Sequence, residues 1–77
     1  MVYRREALCH LIERALQRNT FTASQGIRAV AHGNDVWLLG WVTHADLIAE
    51  AVAIAEAVAP FVNVYSRLKV RGAFLFV

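Results

Sequence analysis

The 77-residue chain is long enough to build one hydrophobic core and too short for a second. Hydrophobic residues make up 58% of it against 18% charged, above the roughly 45–50% apolar share of ordinary globular domains. That balance excludes disorder and leaves apolar surface in want of a partner, a second copy or a membrane surface. A net charge of +2 is too small to indicate nucleic acid by itself, and the single Cys9 excludes a disulfide framework and a thiol-rich zinc site.

In chain order, Leu8, Leu11, Ile12, Ala15 and Leu16 recur at helical spacing and predict a helix over 1–18, with Arg14 and Arg18 suited to its C-terminal end. Residues 19–26, rich in Asn, Thr, Ser and Gly, predict a loop, with Phe21 expected to plug one end of the core. A hairpin follows over 27–32 and 36–42, turned by Gly33-Asn34, both of which tolerate positive φ. Thr43 or His44 is expected to open a second, Ala-rich helix over 44–58, with Asp46 in its first turn and Pro60 closing it. Residues 62–70 alternate as a last strand, with Val62, Val64, Leu68 and Val70 on one face. The tail at 73–77, Ala-Phe-Leu-Phe-Val, is expected either to cover its own sheet or to pair with a neighbour's. No secretion signal is visible, so the expected location is the cytoplasm for a whole chain and the periplasm for an excised or processed domain. No apolar run reaches the ~18 residues of a membrane span, since Glu50 and Glu56 interrupt the longest.

Leu38-Leu39-Gly40-Trp41-Val42, followed by Ala51, Ile54, Ala55 and Val58 and then Phe61, Val64, Leu68 and Val70, resembles the BON domain of bacterial envelope and osmotically induced proteins. Leu8 and Ala15-Leu16 match that family's first helix, so the resemblance covers nearly the whole chain. Pro60 and Ser66 depart from it, standing where Gly and Asn are usual. The implied fold is α+β in the order αββαβ, two helices packed on one face of a three-stranded mixed sheet. The implied function is non-catalytic binding of phospholipid surfaces or an envelope protein. Gly40 falls on the core face, where the missing side chain is expected to let a helix approach, with Ala51 and Ala55 doing the same from the other side.

Strand alternation places Trp37, Leu39 and Trp41 on the opposite face, where BON domains usually carry Thr or Ser. Arg28, Val30 and His32, and Tyr65, Arg67 and Lys69, are expected to share that face. Trp, Tyr and Arg together have the composition of an interface hot spot. The residues themselves therefore point to self-association through Val30, Trp37, Leu39, Trp41 and Tyr65, extended by Phe74 and Phe76, as a homo-oligomer. The alternative is an anionic phospholipid surface met by Arg4, Arg14, Arg18, Arg28, Arg67, Lys69 and Arg71. Nucleic acid ranks last, because the aromatic-Gly-aromatic motif of RNA-binding sheets is missing.

The remaining chemistry-bearing residues form no constellation. Cys9, His10, His32 and His44 fit no metal-ligand spacing, and Ser24, Ser66, Asp35 and Asp46 come without a nucleophile elbow. No catalytic residue, metal or cofactor is expected. Arginines on the first helix and Asp46, Glu50 and Glu56 on the second read as solvated faces, or as complementary surfaces between subunits.

Overall fold

The structure, a computed structural model, describes residues 5–71. Helix α1 spans Arg5–Arg18, strands β1 and β2 span Arg28–His32 and Asp35–Val42, helix α2 spans Asp46–Val58, and strand β3 spans Asn63–Val70. The chain is α+β in the order αββαβ, with α1 packed mainly against β1, α2 against β3, and the two helices against each other. The expected start of the first helix at residue 1, and the tail at 73–77, lie outside the described residues.

The sheet runs in the order β1-β2-β3, with β1 antiparallel and β3 parallel to the central β2. Gly33 (φ +64°) begins the two-residue turn between β1 and β2, and Asn34 keeps a negative φ. This is the φ pattern of a turn with glycine at its first central position, so only one of the two expected positive-φ residues adopts it. The α2–β3 connection follows from Pro60. A residue before proline is driven out of the α region, and Ala59 sits at φ −133° while its N–H still reaches the Ala55 carbonyl at 2.9 Å.

The core lies between the helices and one face of the sheet. Leu8, Ile12 and Leu16 from one stripe of α1, Ala51 and Ala55 from α2, and Ala59 just past its end meet Ala29, Val36, Leu38, Val42 and Leu68 from the strands. Small residues at i and i+4 on α2 let its axis come close, and larger neighbours such as Leu47, Ile48, Val52 and Ile54 close the flanks.

Three local expectations are corrected. Phe21 does not plug the core: it is 65% exposed, and Thr22 is the buried residue of the loop. The reason is hydrogen bonding at the end of α1. The Thr22 hydroxyl donates to the Leu16 carbonyl at 2.6 Å, a second bond beside the Asn19 N–H at 3.3 Å, while Asn19 Oδ1 accepts the N–H groups of Phe21 and Thr22. That turn faces Thr22 inward and its neighbour outward. Second, neither Thr43 nor His44 caps α2 with a side chain; the Thr43 hydroxyl lies 3.0 Å from His44 Nδ1. The helix is entered through tight backbone turns, Leu47 N–H to His44 O and Ile48 N–H to Ala45 O, with Asp46 in the first turn as expected. Third, what approaches Gly40 is not a helix. A Cβ there would meet the Gly26 carbonyl oxygen at 2.8 Å and Ile27 Cα at 3.5 Å, and Gly40 itself sits at φ +130°. The chain entering β1 crosses over this position, so glycine is required twice, for space and for conformation.

Candidate binding face

The register of β2 fixes what its second face displays. Trp37 stands between Val30 on β1 and Tyr65 on β3, Leu39 between Arg28 and Arg67, and Trp41 beside Lys69. Asp35 lies between His32 and Asn63 at the far end. All the strand residues expected on the open face are therefore brought together, and no described element covers them.

The side chains interact across the strands. Trp37 stacks on Tyr65 with ring centroids 4.7 Å apart and 27° between planes, and the Arg67 guanidinium carbon lies 4.8 Å from the Trp37 ring centre. Lys69 Nζ lies 5.7 Å from the Trp41 ring centre. These are cation–π distances. Trp37 and Leu39 are half-buried, whereas Val30 (46%), Trp41 (42%) and Tyr65 (42%) remain open. The surface is less bare than alternation alone implies: its cations lie on its aromatic rings.

Among the described strand residues this face carries Arg28, Arg67 and Lys69 with His32, and Asp35 is its one carboxylate. Asp35 is engaged, accepting a hydrogen bond from Asn63 Nδ2 at 3.0 Å. Arg71 continues the basic side of β3, held at the strand end by its N–H to Val42 O. The other expected cations are elsewhere. Arg14 and Arg18 are exposed on α1, on the helix layer, and Arg4, Phe74 and Phe76 lie outside the described residues.

Glu13 was not singled out by the sequence. Its carboxylate, half-buried on α1, accepts the outward-facing Ala29 N–H of edge strand β1 at 2.8 Å and lies 3.7 Å from Arg28 Nε. One turn earlier on the helix, Cys9 is held above the usual thiol range by burial and then by the nearby Glu13 charge, and the Ala31 backbone N–H opposes that shift. The Glu13 carboxylate thus takes an outward N–H of this strand edge, which helps to keep the edge from pairing with another chain. The signal was a Glu on the flank of the apolar stripe, and spacing alone does not distinguish it from a solvated one.

Among the described residues no group of three His, Cys, Asp or Glu side chains could hold a metal ion, and no helix is long and apolar enough to cross a membrane. An open cleft of about 350 Å³ lies at the start of α2, lined by Phe21, His44, Asp46, Leu47 and Glu50.

The described residues thus form a two-layer αββαβ fold with one open, aromatic and cationic sheet face. The chain belongs to the BON domain family, whose model matches residues 5–72. No curated protein matches the chain.

Proposed function

We propose that this domain binds anionic phospholipid surfaces through the open face of its sheet, without catalysing a reaction. BON domains are non-catalytic binding domains associated with phospholipid membranes. The observation that carries the reading for this chain is the seating of Arg67 and Lys69 on Trp37 and Trp41, on a face whose one carboxylate is already bonded to Asn63. Tryptophan and tyrosine settle at the level of lipid headgroups, and arginine and lysine beside them meet phosphate. A guanidinium resting on an indole keeps its N–H edges free for phosphate oxygens.

Self-association through the same face is the second reading, favoured by the exposure of Val30, Trp41 and Tyr65. Charge ranks it second. Two copies facing each other would bring Arg28, Arg67 and Lys69 towards the same cations of the partner, with Asp35 as the one carboxylate offered in return. Co-sedimentation with vesicles tests the order. Binding to phosphatidylglycerol vesicles, weakened by salt and absent with phosphatidylcholine, supports lipid recognition; equal, salt-insensitive binding to both removes it. Dimers in lipid-free solution that dissociate on Trp41→Thr would put self-association first.

A further inference from the structure

We infer that copies of this chain associate head to tail through their helix layers, the cleft at the start of α2 in one copy taking the outer ridge of α1 in the next. The two surfaces are complementary in charge and in apolar character. Helix α2 contains Asp46, Glu50 and Glu56 and no lysine or arginine. Its cleft has apolar walls, the exposed Phe21 ring and Leu47, beside the carboxylates of Asp46 and Glu50. The outward ridge of α1 presents Leu11, 44% exposed, followed by Arg14 and Arg18 along the same side of the helix. An apolar knob with cations behind it meets an apolar cleft with anions beside it, the arrangement of a small interface with a polar rim.

Within one copy these charges are not spent on each other. Among the described residues Arg14, Arg18, Asp46 and Glu50 make no ion pair; the one present joins Arg28 to Glu13. Because knob and cleft are different surfaces, the contact is heterologous, and each added copy offers a fresh site instead of closing at two. Both surfaces belong to the helix layer, so the open sheet face stays free in every copy. The contact is small and therefore at the transient end of protein association.

Sedimentation velocity of the full chain over a concentration series tests this. At low salt the average sedimentation coefficient is expected to rise with concentration past that of a dimer. At about 0.5 M NaCl, where the Debye length falls to a few ångströms, it is expected to return to the monomer value. Two variants locate the contact: Asp46→Asn with Glu50→Gln, and Arg14→Gln with Arg18→Gln, each checked for unchanged circular dichroism. Each alone is expected to be monomeric. Mixed in equal amounts they should form a dimer and stop, because the intact ridge of the first fits the intact cleft of the second and no further pair exists. A wild-type chain monomeric at every concentration overturns the inference, and so does a mixture that stays monomeric. Association that survives in both charge variants and disappears with Trp41→Thr overturns it as well, and assigns the contact to the sheet face instead.

Discussion

The two faces of strand β2 are built from alternate residues of one eight-residue segment and obey different rules. Val36, Leu38 and Val42 are buried to within 1% under the helices, while Trp41 on the other side is 42% exposed and Trp37 is half-buried against Tyr65 and Arg67. The covered face is aliphatic and small-stepped, fitted to the alanine stripe of α2. The open face is aromatic and cationic, with its contacts made sideways within the same layer. Packing explains every residue of the first face, and it explains the second only in part, since large rings and paired cations exceed what a solvated sheet surface needs.

Substitution on either side of the strand should break the comparison most sharply. Leu38→Ala removes a fully buried side chain and is expected to cost about 2–5 kcal/mol, a large share of the stability available to a domain of this size. Trp41→Thr, three residues along and on the open face, should shift the urea midpoint by much less, about 1 kcal/mol or under. Similar losses at both positions would mean that the open face is held in the folded chain as tightly as the core.

Gly40 belongs to the covered face and its substitution ranks next. Gly40→Ala meets the Gly26 carbonyl and a backbone that L side chains rarely adopt, with an expected cost of about 3 kcal/mol in urea unfolding. A cost below about 1 kcal/mol would show that the crossing segment at Gly26–Ile27 yields freely.

On the open face the expected loss is in binding. Each arginine or lysine near an anionic bilayer contributes roughly 1 kcal/mol, so Arg67→Gln with Lys69→Gln should weaken binding to phosphatidylglycerol vesicles roughly tenfold or more. Stability should stay within about 0.5 kcal/mol of the wild type. If vesicle binding is unchanged, the cations seated on the tryptophans have no part in it.

The faces themselves were legible in the sequence because a strand's alternation is local: Val36, Leu38 and Val42 against Trp37, Leu39 and Trp41 can be read without knowing any neighbour. Helix periodicity likewise gave the buried Leu8, Ile12 and Leu16, and with them Leu11, which lies at the margin of the stripe and stays 44% exposed. Tertiary partners were not legible. Gly40 was assignable to the core face, but that the segment before β1, and not a helix, crosses it depends on where residues 26 and 27 run. Phe21 was expected inside and Thr22 is buried instead, because a turn has no period and a hydroxyl bonded to Leu16 O outweighed the hydrophobic drive of the ring. The pairing of Arg67 with Trp37 is diagonal across two strands, and alternation placed both on one face without indicating the contact.

The strand edge offers a milder test of how the helix layer supports the sheet. Glu13→Ala leaves the Ala29 N–H without its carboxylate acceptor and is expected to cost about 1–2 kcal/mol, with hydrogen exchange faster at Ala29 than along β2. Exchange at Ala29 unchanged by the substitution would show that water replaces the carboxylate at no cost.

Cys9 should give the smallest effect, and its sign follows from the same edge. Burial raises the thiol pKa in the folded chain, the Glu13 and Glu6 charges push it the same way, and the Ala31 N–H opposes them. A thiol whose folded pKa lies above its unfolded value holds its proton more tightly in the native state. Its contribution to stability is therefore complete below the unfolded thiol pKa and declines as pH rises through the folded one. Comparing the wild type with Cys9→Ala isolates that contribution from the rest of the chain. Measured by urea midpoint from neutral pH upward, the wild type should lose slightly more stability than the variant above the ordinary thiol range. The native thiol should also react with a thiolate-selective reagent more slowly at mildly alkaline pH than the same thiol in urea. Parallel stability curves together with equal reaction rates would mean that Cys9 is not shielded between α1 and β1.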